Sequence, residues 1–475
     1  MTYYASDNPN GFVTGKRFEI DVPCVSIMAA GMGGDSYGHW YFADDGGGAV
    51  KRKDENKPAY RVPLMSEISA LPWNGFNVVS TFSGCGGSCL GYRMAGFKVL
   101  WANEFVPAVQ ESYKANAAPD CILDCRDIRA VQPEEILQAT GLAEGEFDLF
   151  DGSPPCQAFS IAGKREKGWG KEKTYEHGAS QCNETLFDEY IRLLRGLKPK
   201  VFVAENVSGL VKGVAKGYFL EILAALKESG YHVTCRILDA QWLGVPQRRQ
   251  RVIFIGVRNN LGKEPVHPKP LPYRYSVRDA LPWIGKSVND PHKQFKAQEN
   301  NDDKLHCAIT LANKGHIKVE SLPPSRLKEG AYGVQVIDPE KPYPTVTIGS
   351  PGNDFVLIAE HETNISGYAI GDEWDKLKSG EQSSKYFSLH KASENDPSPT
   401  IQASHGNLSM AGVVHPIEKR KFTIDELKRI CAFPDDFILK GSYAQQWSCL
   451  GNSVPPVMMR YISETIRDKV LQVTS

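Results

Sequence analysis

The chain has 475 residues, 41% hydrophobic and 23% charged, with a net charge of −1; this excludes a disordered chain and predicts two to three folded units. No apolar run is long enough to cross a bilayer, and the N-terminus lacks a basic segment followed by an apolar one, so membrane insertion and export are disfavoured and a cytoplasmic location is expected. The eleven cysteines show no paired CxxC spacing, which fits reduced thiols and argues against a structural metal site.

Residues 1–73 read as an extension with Gly-rich patches and no chemical signature. From Asn77 onward, short apolar runs alternate with helical patterns, the rhythm of a parallel sheet covered by helices. Val78 to Phe82 reads as a strand that runs into the Gly-rich turn Phe82-Ser83-Gly84-Cys85-Gly86-Gly87 and then a helix. Glycines there let a ligand approach the backbone beyond the strand's carboxyl end. The next strand, Lys98 to Ala102, leads to Asn103-Glu104-Phe105, where a carboxylate can accept from ribose hydroxyls. A third acidic stretch, Asp124-Cys125-Arg126-Asp127, is placed to meet an adenine amino group. Together these strand ends suit an adenosine-containing cofactor.

Helices are expected over Val106 to Ala115 and Pro133 to Thr140, followed by a strand at Asp148 to Phe150. That strand opens into Gly152-Ser153-Pro154-Pro155-Cys156-Gln157, in which two prolines fix the backbone and present Cys156 as a candidate nucleophile. Residues 161–183 follow as a long basic loop. A helix at Leu186 to Leu194 and a strand at Val201 to Ala204 bring Glu205, a second carboxylic acid, to the same sheet edge. After a helix at Tyr218 to Glu228, Gln247, Arg249 and Arg251 alternate along the chain into a strand at Val252 to Val257, offering guanidinium groups for a base carbonyl and a phosphate. Beyond Arg258 the texture turns Pro-, Lys- and Asn-rich to about His415, and helical periodicity returns at Thr423 to Cys431 and from Pro455 to Val470.

The ordered set FSGCGG, NEF, DCRDI, GSPPCQAFS, AENV, QRRQR, RKFTIDELKRICAFPDDF (420–437) and GNSVPP (451–456) resembles the cytosine-C5 DNA methyltransferases over about residues 76–260 and 416–471. The resemblance implies an α/β fold: an S-adenosylmethionine-dependent, Rossmann-like sheet domain with a smaller, loop-rich target-recognition domain. The corresponding division is 1–73 as extension, 74–261 and 416–475 as the two parts of the catalytic domain, and 262–415 as the recognition domain. It implies that Phe82, Gly84, Cys85, Gly86, Gly87, Glu104, Phe105, Asp124 (or Asp127), Cys125, Pro155, Asn452 and Ser453 bind S-adenosylmethionine, with Glu104 on the ribose and Phe105 on the adenine. Cys156, Glu205, Arg249 and Arg251 become the expected catalytic set. The implied partner is double-stranded DNA, with a cognate restriction endonuclease sharing the site; a monomer, associated with the nucleoid if bacterial, is the expected form. Cys431-Ala432-Phe433 departs from the usual leucine-glycine pattern. Rival readings are methylation at N4, which would want an aromatic residue where Cys156 stands; transfer to tRNA, against which the long 260–415 segment argues; and a silent DNA-binding regulator, which would not need Cys156, Glu205 and Arg251 together.

Overall fold

The computed structural model describes residues 57–155, 186–211, 216–284 and 363–472 continuously. Cys156, the basic loop at 161–183 and much of the expected recognition domain lie outside the described residues. The apolar runs form a seven-stranded sheet. In chain order its strands are β1 (Asn77–Thr81), β2 (Lys98–Asn103), β3 (Ile122–Asp124), β4 (Leu149–Gly152), β5 (Val201–Val207), β6 (Tyr231–Asp239) and β7 (Gln250–Arg258). Their order across the sheet is β6-β7-β5-β4-β1-β2-β3. The β3, β2, β1, β4 and β5 neighbours pair in parallel, whereas β7 runs antiparallel to both β5 and β6.

The chain moves outward from β1 to β3 and then returns to place β4 on the other side of β1. This reversal opens a crevice beyond the carboxyl ends of β1 and β4, where open α/β sheets bind ligands. The turn at 82–87 and the Pro-Pro turn therefore flank one opening.

Helices cover both faces because the central strands are apolar on both sides. On one face α2 (Gly87–Met94), α10 (Tyr443–Asn452) and α11 (Pro456–Ile466) share a core with Val78, Leu149, Val203 and Ile253. On the other, α4 (Pro133–Thr140), α5 (Leu186–Leu197) and α6 (Lys216–Glu228) pack on Val79, Phe150, Phe202 and Phe254. Here α1 is Met65–Ser69, α3 Pro107–Asn116, α7 Val277–Ala280, α8 Ala369–Trp374 and α9 Ile424–Ile430. No described helix is long and apolar enough to cross a membrane.

Core membership cuts across the compositional boundaries. Ile68 of α1 belongs to the first core, as do Val277, Leu281 and Ile284 after the sheet and Ala392, Ile401 and Val413 before α9. Tyr60 donates to the Arg429 carbonyl at 2.6 Å, and Lys57 pairs with Asp279 at 2.9 Å. A smaller cluster of Ile365, Ile370, Leu389 and Val414 stands apart.

Candidate active site

At the end of β1 the backbone turns through left-handed conformations at Phe82, Gly84 and Gly86, with φ of 53°, 58° and 95°. A non-glycine residue held there is strained, and such strain persists only where the surroundings enforce it. The turn is fixed to β2 by Ser83 N–H, which donates to the Asn103 carbonyl at 2.9 Å. Glu104 is tied into the same construction: its Oε2 accepts from Gly84 N–H at 2.9 Å and its Oε1 from Val106 N–H at 2.7 Å. Burial raises the Glu104 pKa, and those N–H bonds only partly offset it.

Gly87 lies where a Cβ would come within 2.4 Å of the Val454 carbonyl, so glycine lets the C-terminal segment close under the turn. Cys85 points into that contact, with its thiol 3.1 Å from Ser453 Oγ, while Ser453 Oγ donates to the Cys449 carbonyl at 2.7 Å. Asn452 is exposed and Phe105 half-buried. Asp124 is gripped by Arg126, whose Nη2 donates to Oδ2 at 2.7 Å. Burial opposes the Asp124 charge, yet the Arg126 hydrogen bonds prevail and hold its pKa below the usual carboxylate value. Asp124, Cys125 and Arg126 line a cavity of about 290 Å³ with Trp101, Ile122 and Glu135. Asp127 instead caps the following 3-10 turn and engages Arg129. The set fits an adenosine-bearing cofactor: the Glu104 carboxylate, an acceptor for ribose hydroxyls, is fixed against the turn, and Asp124 lines a cavity.

On the other side of the crevice, β4 ends in Gly152, with Pro154 buried and Pro155 half-buried. Asn206 of β5 donates from Nδ2 to the Pro154 carbonyl at 3.1 Å, anchoring the turn that leads to Cys156. The sequence alone assigns Asn206 no task; its position directly after Glu205 is the available signal. Glu205 is 7% exposed and pairs with Arg251, Oε1 to Nε, at 2.6 Å. The antiparallel register of β5 and β7 brings them together, because Val207 faces Arg251 and Ile253 faces Glu205.

Arg249 behaves differently from Arg251. It is 1% exposed, and its guanidinium donates to the carbonyls of Ile401 at 3.2 Å and Gly451 at 2.7 Å. Burial, and after it the neighbouring Arg251, works against its charge. Gln247 is likewise turned inward, donating to Cys431 Sγ at 3.1 Å. Of the alternating trio, Arg251 is the member that meets Glu205.

The sequence reading passed over Asp151, on β4 just before the Pro-Pro turn. Its carboxylate is 1% exposed and accepts from Ser80 Oγ at 2.9 Å and Tyr92 OH at 3.0 Å. A carboxylate at the end of an apolar strand was the signal.

Residues 76–468 match the family model described as C-5 cytosine-specific DNA methylase. Among curated proteins the chain is similar to the type II methyltransferase M.NgoFVII of Neisseria gonorrhoeae, 29% identical over 397 residues that cover 83% of this chain and 87% of that one. It is also similar to M1.HphI of Haemophilus parahaemolyticus, 28% identical over 389 residues, with 82% and 86% covered. A solved E. coli prophage chain described as a DNA modification methyltransferase shares the fold, with a TM-score of 0.54 at 20% identity, covering 84% of this chain and 100% of its own.

Proposed function

The chain belongs to the C-5 cytosine-specific DNA methylase family, and from that premise we propose that it methylates a flipped-out cytosine in a specific double-stranded sequence through a covalent bond between Cys156 and C6. The observation that carries this reading is the Glu205–Arg251 pair at 2.6 Å, set beside the Asn206-anchored turn that leads into Cys156. C5 of cytosine is a weak nucleophile while the ring is aromatic. Addition of the Cys156 thiolate to C6 breaks that aromaticity, and a proton held by Glu205 at N3 neutralises the charge that would build there, leaving C5 enamine-like. Arg251 keeps Glu205 oriented, and its proposed task is to hold O2. S-adenosylmethionine, the methyl donor of this family, supplies an electrophilic methyl group when bound. Once C5 carries the methyl group, loss of its proton to water, departure of Cys156 as the thiolate and return of the N3 proton to Glu205 restore the ring.

C6 is shielded inside a duplex, so the base must leave the stack at a cost on the order of a few kcal/mol. The basic loop at 161–183 is the proposed clamp. Phe82, Gly84, Gly86, Gly87, Glu104, Phe105 and Asp124 form the proposed cofactor site, with Cys85 and Ser453 bracing it from behind. Arg249 is assigned a positioning role, since its Nη1 and Nη2 donate to main-chain carbonyls. Target choice is assigned to the segment beyond residue 262, and because Ile284 and Ala392 both lie in the main core, the exchangeable part falls between them. The named relatives are type II methyltransferases, so a restriction endonuclease sharing the target site is the proposed functional partner of a monomeric enzyme.

DNA carrying 5-fluorocytosine at the target tests the mechanism, after bisulfite sequencing of DNA from expressing cells has located that target. Fluorine cannot leave C5 as a cation, so a denaturation-resistant adduct is expected with S-adenosylmethionine present, and none with Cys156→Ser. An active preparation that forms no adduct would rule out attack at C6.

A further inference from the structure

We propose that Asp151 is a positioning residue whose buried carboxyl couples the cofactor turn to the strand end that precedes Cys156 in the chain, so that cofactor binds the form with Asp151 ionised more tightly. The inference rests on the cofactor reading of the 82–87 turn. Asp151 sits on β4 at the crevice, paired across the ladder with Ser80 of β1, while Thr81 pairs with Gly152. A chain of hydroxyls runs from the turn to the carboxylate: Ser83 Oγ donates to Ser80 Oγ at 3.0 Å, and Ser80 Oγ donates to Asp151 Oδ2 at 2.9 Å. Tyr92 OH donates to Oδ1 at 3.0 Å from α2, the helix that the turn initiates. Thr81 Oγ1 adds a bond to the Asp151 carbonyl at 3.2 Å.

The two donors that reach the carboxylate, Ser80 Oγ and Tyr92 OH, suit an ionised acceptor. A proton on Oδ2 would force Ser80 to accept from Asp151 as well as from Ser83, and a proton on Oδ1 would leave the Tyr92 hydroxyl seeking another acceptor in a buried pocket. Protonation therefore loosens the link between turn and strand. The groups facing Asp151 are Ser80 on β1, Tyr92 and Cys89 on α2, Glu205 on β5 and Tyr190 on α5. Burial lifts the Asp151 pKa to about 7, Ser80 and Tyr92 pull against that, and Glu205 adds to it. The two forms thus exchange in the pH range where the enzyme would work.

Binding of S-adenosylhomocysteine, followed by calorimetry between pH 6 and 8, reads this coupling without any methyl transfer. If binding lowers the Asp151 pKa from about 7 by one unit, wild type binds about fivefold more tightly at pH 8 than at pH 6. Because the ligand carries titratable groups of its own, the decisive quantity is the difference between variants. Asp151→Asn is expected to lose that fivefold gain. Tyr92→Phe should keep it but move its midpoint to higher pH, because a bond favouring the carboxylate is gone; this variant carries the test if the asparagine protein does not fold. An unchanged pH dependence in Asp151→Asn, or an unmoved midpoint in Tyr92→Phe, overturns the inference while leaving the cofactor site standing. Absence of binding by wild type at every pH overturns the cofactor site itself, and the inference with it.

Discussion

The two sides of the crevice are built by different means. Around β1, β2 and β3 the site is mostly main chain: positive φ at Phe82, Gly84 and Gly86, and N–H groups of Gly84 and Val106 holding one carboxylate. Around β4, β5 and β7 it is side chains delivered from distant parts of the sequence: Asn206 on Pro154, Arg251 on Glu205, Arg249 on Ile401 and Gly451. A main-chain site is inseparable from the fold that shapes it, whereas a side-chain site can lose a function and keep its shape. Apart from Asp151, which ties β4 to the turn, substitutions on the base side should therefore reduce turnover alone, and substitutions on the cofactor side should reduce affinity and stability together.

The largest effect is expected on the base side. Cys156→Ser should abolish methyl transfer, and Glu205→Gln should lower kcat by about 10²–10⁴-fold, the usual span for removing a general acid. Affinity for S-adenosylhomocysteine should remain at the wild-type value in both when measured at pH 8, where Asp151 is largely ionised with or without the Glu205 charge. A parallel loss of cofactor affinity in Glu205→Gln would mean that the two sides are one mechanical unit and break the distinction.

Gly87→Ala probes the opposite side with a smaller change. The new methyl group would lie 2.4 Å from the Val454 carbonyl, a main-chain atom that cannot rotate away. Overpacking of this kind costs about 1–3 kcal/mol. Denaturant unfolding should show that loss, and calorimetry should show weaker S-adenosylhomocysteine binding, because the turn must shift. Lost stability with unaltered affinity would remove the C-terminal segment from the cofactor site.

The same contrast explains what the sequence disclosed. The Gly-rich turn, Glu104 and the strand at Val201 to Ala204 were legible because each is specified by adjacent residues with a local physical reason. The strand Tyr231–Asp239 was not singled out, although its burial largely alternates as an edge strand's should. The helix Tyr443–Asn452 was also missed, though Ser442 and Gln445 form a capping box at its start. Asp151 and the inward turn of Arg249 depend on partners tens to hundreds of residues away, which no local pattern encodes. Composition changes at residues 73, 262 and 415, but packing does not: Ile68, Val277 and Val413 share one core. Texture reports what faces water, and core membership reports what faces the sheet.

The smallest effect is expected at Ala432, where the comparison meets its closest test. This residue ends α9 in a left-handed conformation, φ 58°, with Phe433 N–H donating to the Lys428 carbonyl at 2.8 Å, a turn that ordinarily calls for glycine. The turn directs buried Phe433 to the underside of the cofactor side, where its ring lies 3.3 Å from the place a Cβ on Gly87 would occupy. Ala432→Gly relieves about 1–2 kcal/mol of left-handed strain. Against that stand about 0.5–1 kcal/mol for the extra freedom of glycine in the unfolded chain and about 0.8 kcal/mol for one buried methyl group. The opposing contributions nearly cancel, so the change in unfolding free energy should lie within about 1 kcal/mol of zero. Cofactor affinity should not move, since the main-chain bonds that aim Phe433 survive. A glycine-for-alanine exchange would then be tolerated at 432 while the reverse exchange is not tolerated at 87, although both positions pack beneath the same turn. If Ala432→Gly instead weakens S-adenosylhomocysteine binding, the strained turn is itself part of the cofactor side, and the main-chain construction extends as far as α9.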